Sequence, residues 1–298
     1  MERRKFGKTG FEVSVLGFGG SEIGYQGASA SVAEKILNAE LDAGVNVIDT
    51  AACYVDSEEL IGRAVSHRRG DYVLMTKCGH GDGLGGAEFS PALIASSIER
   101  SLKRLRTDHL DVVQLHSCSE AVLRKGDAIK ALEAARRAGK VRFIGYSGDG
   151  EDAMYAVQCG AFDTLQISVS IADQEALETI IPAAMERGMG VVAKRPIANA
   201  AWRTGGNPMD WYSRPYRERL LELDYDFLKH GLKESVAIAL RFTLSVPGVH
   251  TAIVGTANSA RIPDNVAAAA AGPLPKAEYE AIRARWKKVA KRSWTGQR

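Results

Sequence analysis

The sequence predicts a (β/α)8 barrel, a closed parallel sheet wrapped in helices. Strand-like and helix-like runs alternate from one end of the chain to the other, and eight runs qualify as strands. Most of these are continuous apolar runs, as expected for parallel strands covered on both faces. No linker of low complexity interrupts the 298 residues, a length at which such barrels form one domain, so residues 1–298 are expected to be a single barrel domain.

Taken in order, Arg3–Phe6 and Glu12–Val15 flank Lys8-Thr9-Gly10 and form a short hairpin suited to plug the bottom of a barrel. The eight strands are Ser14–Phe18, Val45–Asp49, Tyr72–Lys77, Leu110–His116, Val141–Ser147, Thr164–Ser168, Gly190–Lys194 and Thr251–Gly255. The first helix carries Val32, Ile36, Ala39 and Ala43 on one face and stops at Gly44. In the third, Ser90 is the N-cap and Pro91 the first helical residue, ahead of the stripe Ile94, Ile98, Leu102 and Leu105. The fourth stops at Gly139, and Val236, Leu240 and Leu244 recur before Pro247–Gly248. The five alanines Ala267–Ala271 read as helix ended by Gly272–Pro273. Two stretches exceed the eight-unit scheme: the long connection Ala198–His230, and Leu274–Arg298, read as one more helix with a polar tail.

Bulk properties narrow the function. A net charge of +3, from 39 basic and 36 acidic side chains, is too balanced for a nucleic-acid or acidic-membrane partner. No apolar run approaches the roughly 20 residues that cross a bilayer. MERRKFGKTG lacks an apolar stretch behind its charges, so no signal peptide is expected. The cysteines Cys53, Cys78, Cys118 and Cys159 show neither metal-site nor disulfide spacing, and a reducing cytoplasm is the expected location.

Gly81, Gly83 and Gly86 fit G-x-G-x-x-G, but no helix opens on the third glycine and no acid ends a following strand. A loop at the barrel mouth is the better reading. The residues around it carry more information. Asp49 ends the second strand, Lys77 the third and His116 the fourth, and Tyr54 follows the second. In a parallel barrel these strand ends share one face, where barrel enzymes do their chemistry. Singly, each has an ordinary explanation as a turn former, a structural histidine or a solvated lysine. On consecutive strands they form a proton donor aimed at a carbonyl. A nearby ammonium lowers a tyrosine pKa from its usual value of about 10, a carboxylate holds the ammonium, and an imidazole orients the carbonyl oxygen. The set contains no hydride source, so a reduction would need a nicotinamide cofactor.

On these residues the chain resembles the aldo-keto reductases over nearly its whole length. KFGKTGFEVSVLGFGG resembles the family's opening hairpin and first strand, AGVNVIDTAACY its Asp and Tyr motif, and VLMTKC and LDVVQLHS its Lys and His motifs. The resemblance implies Tyr54 as proton donor, Lys77 and Asp49 as the pair that tunes it, and His116 as the residue that orients the substrate. It further implies NAD(P)H extended across the mouth. Gln166 and Ser147 would hold the nicotinamide carboxamide, Gly255 and Thr256 a phosphate, Arg261 the 2′-phosphate or the adenine, and Asn265 the adenine. The family's usual Asn after the serine is Gly148 here, with Asp149 the alternative contact. A lysine common in NADPH-preferring members is Asn258, yet Arg261 keeps NADPH favoured over NADH. The aromatic that commonly stacks on the nicotinamide is replaced by Lys194, with Arg195 placed for the pyrophosphate, and Trp202 or another aromatic is expected to substitute.

Two rival readings follow from the same residues. A Schiff-base aldolase would use Lys194. A cofactor-binding regulatory protein would keep the barrel with little turnover. Tyr25 and Trp202 are the expected substrate-pocket residues, within mouth loops Ser21–Ala28, His80–Glu88, Ser117–Leu123 and Ala198–Tyr216. The expected substrate is a small carbonyl compound. No metal site is expected, and the sequence leaves the oligomeric state open.

Overall fold

The computed structural model describes residues 1–203 and 211–297. Its core is a closed eight-stranded parallel barrel preceded by a two-stranded antiparallel hairpin. The hairpin strands are β1 (Arg3–Lys5) and β2 (Glu12–Ser14). The barrel strands are β3 (Leu16–Gly19), β4 (Val47–Asp49), β5 (Val73–Cys78), β6 (Leu110–His116), β7 (Val141–Ser147), β8 (Thr164–Ser168), β9 (Gly190–Lys194) and β10 (Thr251–Val254). Each pairs with its sequence neighbour, and β10 closes on β3 with Ala252, Ile253 and Val254 opposite Leu16, Gly17 and Phe18.

The first two barrel strands start later than the apolar runs imply. Asn46 is responsible. Its side-chain oxygen accepts from Ser14 N (2.6 Å), its amide donates to Glu12 O (2.8 Å), and its backbone N–H donates to Ser14 Oγ (2.9 Å). Side-chain bonds thus take over groups that a ladder would have used, and Ser14 belongs to the hairpin.

The hairpin does plug the base. Phe6 and Val13 pack with the inward residues Val47, Val73, Met75, Val112, Val192 and Ile253 in one buried cluster. The turn presses so closely on β9 that a Cβ at Gly7 would stand 2.4 Å from Gly190 N. Lys8 N donates to Gly188 O at 2.7 Å. The larger core lies between barrel and helices.

Helix Pro91–Leu105 starts where the sequence places it, with Ser90 Oγ accepting from Leu93 N. The first long helix, Ala30–Asp42, is rotated from the expected stripe. It buries Ala33, Ile36, Leu37, Glu40 and Leu41, and leaves Val32 exposed. The β6–β7 connection holds two helices, Glu120–Lys125 and Asp127–Arg137, separated at Gly126. The alanine run lies in helix Ile262–Ala270. Within Ala198–His230 stand a short turn (Ala198–Ala200) and helix Arg214–Leu223, and residues 204–210 of that connection lie outside the described residues. Helix Lys276–Val289 is followed by a tail that returns to the barrel mouth, where a Cβ at Gly296 would sit 2.3 Å from the Asp149 carboxyl. Among the described residues no helix is long and apolar enough to cross a membrane.

Candidate active site

The strand C-termini bring the expected polar residues to one mouth. Asp49 ends β4, Lys77 is one residue from the end of β5, and His116 ends β6. Lys77 Nζ contacts Asp49 Oδ2 at 2.6 Å and donates to Thr50 O at 2.8 Å. Both side chains are fully enclosed, so each charge depends on the other. Gln114 and Gln166 amides donate to the two Asp49 oxygens at 3.3 and 3.2 Å. Burial pulls Lys77 down, but Asp49 together with Tyr54 holds its pKa above the ordinary lysine value.

Tyr54 sits over this pair, with Lys77 Nζ 4.9 Å from its ring centroid. Its ring meets His116 edge-on at 5.9 Å and Tyr25 at 5.7 Å. The expectation of a lowered phenol pKa is corrected here. Burial pushes Tyr54 up to about 12, Lys77 pulls it back only in part, and Asp49 adds to the rise. His116 moves the other way. Burial, then the cations Lys77 and Lys194, hold its pKa well below the usual histidine value, so the ring is neutral at neutral pH. Its Nδ1 lies 3.4 Å from Cys53 Sγ, and its carbonyl accepts from His80 Nε2 at 2.9 Å.

A second charged group lines the mouth on β7–β9. Lys194 ends β9 and pairs with Asp149 Oδ2 at 2.9 Å, and Arg195 reaches the same oxygen at 3.7 Å. Arg195 also donates to Ser168 Oγ and to Tyr212 OH, each at 2.6 Å. Burial lowers Lys194 to about 8, with Asp149 opposing and Arg195 adding to the drop. Asp149 therefore serves Lys194 and Arg195. It also accepts from Ser168 N at 2.8 Å. The missing side chain at Gly148 has a local cause: a Cβ there would stand 2.5 Å from the Tyr146 hydroxyl, which donates to Cys118 O.

Beside these charges, Ser147 Oγ and Gln166 Oε1 are buried and have no hydrogen-bond partner among the described residues. Such atoms are costly unless something arrives to satisfy them. One is a hydroxyl and the other an amide oxygen, a donor and an acceptor that suit a primary carboxamide. Across the barrel, Gly255 and Thr256 follow β10, and Thr256 Oγ1 donates to Asn258 O at 3.1 Å. Asn258 Oδ1 accepts from Ala260 N at 3.0 Å and caps the turn Ser259–Arg261, while Arg261 is exposed and Asn265 is buried in the following helix.

The aromatic residues divide. Tyr25 is 63% exposed and donates to Cys53 O, whereas Trp202 is half-buried against the main core. Tyr216, expected in a mouth loop, is fully buried and donates to Asp173 Oδ2 at 2.6 Å. Tyr212, with its ring centroid 5.1 Å from the Arg195 guanidinium, is an aromatic of the connection that reaches the charged group. Its sequence signal was the aromatic run Trp211-Tyr212 alone.

Barrel and mouth together define a (β/α)8-barrel enzyme. The family model described as Aldo/keto reductase family matches residues 15–287, and the chain belongs to that family, which makes it an oxidoreductase. L-galactose dehydrogenase of Arabidopsis thaliana is 28% identical over 283 residues, 90% of this chain and 88% of the relative. Oxidoreductase YqkF of Bacillus subtilis is 27% identical, over 96% of this chain and 97% of its own. Among solved structures, the holo form of aldo-keto reductase AKR11C1 from Bacillus halodurans superposes with a TM-score of 0.82 at 27% identity, covering 99% of both chains.

Proposed function

We propose that the protein reduces an aldehyde or ketone to an alcohol with NADPH, NADH being the weaker alternative. The observation that carries this reading is Tyr54 set between the buried Lys77–Asp49 pair and a neutral His116. When bound, the cofactor supplies hydride to the carbonyl carbon. Tyr54 gives its proton to the carbonyl oxygen, and Lys77 stabilises the phenolate left behind. A phenol held near 12 is fully protonated at neutral pH, so the acid is loaded for the reductive direction. His116 donates a hydrogen bond that orients the same oxygen.

The unpartnered Ser147 and Gln166 atoms fit the nicotinamide carboxamide. Lys194 and Arg195 would face the pyrophosphate, Gly255 and Thr256 a phosphate, and Arg261 and Asn265 the adenosine end. Tyr25 and Trp202 remain the proposed substrate-pocket residues, now joined by Tyr212. The short Lys194–Asp149 contact supports a held ammonium over the Schiff-base nucleophile.

Fluorescence titration with NADPH and NADH tests the cofactor site, and a panel of aldehydes and ketones tests turnover. Tyr54→Phe is expected to bind NADPH as the parent does and to lose carbonyl reduction by about 100-fold or more, the usual weight of a general acid. Near-normal turnover by that variant would remove Tyr54 from the role. Tight cofactor binding with no turnover of any carbonyl would favour the regulatory reading.

A further inference from the structure

Cys53 precedes Tyr54 in the chain and touches His116, and no role has yet been given to it. Its Sγ lies 3.4 Å from His116 Nδ1, within hydrogen-bond range for sulfur. The backbone on both sides of that contact is fixed. Tyr25 OH donates to Cys53 O at 3.2 Å, and His80 Nε2 donates to His116 O at 2.9 Å. His116 Nε2 has no hydrogen-bond partner among the described residues. The pair therefore holds two protons, one on sulfur and one on the ring, and two arrangements. Either S–H donates to a bare Nδ1 and the ring proton sits on Nε2, or Nδ1–H donates to sulfur and Nε2 is bare.

Elementary chemistry separates them. An imidazole sp² nitrogen is a good acceptor and a thiol sulfur a poor one. Among the described residues, sulfur has no second hydrogen-bond partner to receive its proton if Nδ1–H points at it. Both groups are also neutral, the thiol being pushed up to about 11 by burial and the imidazole held well below its usual value. Only the first arrangement leaves Nε2 able to donate to a carbonyl oxygen. The hydrogen bond on one ring nitrogen decides what the other can do.

We propose that Cys53 is a positioning residue, whose S–H donates to His116 Nδ1 and keeps the ring proton on Nε2 for the substrate carbonyl. This rests on the proposed carbonyl reduction for its functional meaning, while the tautomer itself does not depend on turnover. It also identifies a serine as the conservative replacement, because a hydroxyl can donate to Nδ1 in the same way.

Two readouts test it. Two-bond ¹H–¹⁵N spectra of the intact protein, with the His116 signals assigned through His116→Gln, report the tautomer directly. An Nε2–H ring in the parent supports the proposal, and an Nδ1–H ring overturns it. In kinetics, Cys53→Ala is expected to lower kcat by about two- to tenfold, the reach of one ordinary hydrogen bond, with the NADPH dissociation constant unchanged. Cys53→Ser is expected to restore kcat to within about twofold. Equal loss in both variants would mean that the thiol acts by its volume, which overturns the proposal. Should the parent turn over no carbonyl at all, the proposed function fails and the spectrum still decides the tautomer.

Discussion

At the scale of single residues, the mouth works by displacing protonation equilibria in opposite directions. Tyr54 is raised to about 12 and His116 is lowered well below its usual value, chiefly by the same desolvation. Burial favours whichever form is neutral, so a phenol keeps its proton and an imidazole sheds one. Carbonyl reduction is therefore expected to show a kcat that is flat from about pH 7 to about pH 9, because neither group titrates there. Lys194 behaves differently. At about 8 it is charged below that pH and neutral above it. NADPH affinity is expected to weaken as pH rises through 8, and Lys194→Met is expected to weaken binding at neutral pH and flatten that dependence. Dissociation constants measured across the range by fluorescence decide the matter. Much of this residue set was legible in the sequence, since a polar side chain closing each of three apolar strands is conspicuous. The net pKa of Tyr54 was not, because Lys77 could be seen beside it and the burial could not.

At the scale of elements, helix Ala30–Asp42 shows where periodicity misleads. Val32, Ile36, Ala39 and Ala43 make a plausible stripe, yet the buried face includes Glu40 and leaves Val32 in solvent. The helix tolerates a carboxyl there at a cost. Burial raises Glu40 to about 7, and among the described residues no cation compensates and its Oε2 has no partner. Because the folded value lies above the unfolded one, the stability this group contributes is complete below about pH 4.5 and is lost as pH rises through 7. Glu40→Gln is accordingly expected to stabilise the protein by about 2–3 kcal/mol above pH 8 and to have little effect near pH 4. Urea titrations at the two pH values would show it. The Asp149–Lys194–Arg195 group was hidden for a related reason: Asp149 lies just after β7, Lys194 ends β9 and Arg195 follows it, and only barrel register brings them to one oxygen.

For the whole molecule, the barrel was legible because eight apolar runs, each followed by a helix, leave few other solutions. Its base was legible as a hairpin, and the structure adds what the hairpin does. Phe6 fills the barrel floor among residues from β4, β5, β6, β9 and β10, so one side chain ties strands that are distant in sequence. Phe6→Ala is expected to cost about 3–5 kcal/mol, the range for a fully buried aromatic, and calorimetry would register it as a lowered Tm. The tail that returns Gly296 to Asp149 had no sequence signal, as a polar stretch after a helix usually reads as solvated. The order of strands around the barrel has one more result. Asp49, Tyr54, Lys77 and His116 all lie between β4 and the end of β6, whereas Ser147, Gln166, Lys194, Arg195, Gly255, Thr256, Arg261 and Asn265 all lie from β7 onward. On the proposed assignment, acid chemistry and coenzyme binding are thus written in separate halves of the gene. If that assignment holds, a single recombination in the segment between His116 and Val141 is expected to exchange the coenzyme half and leave Asp49, Tyr54, Lys77 and His116 untouched.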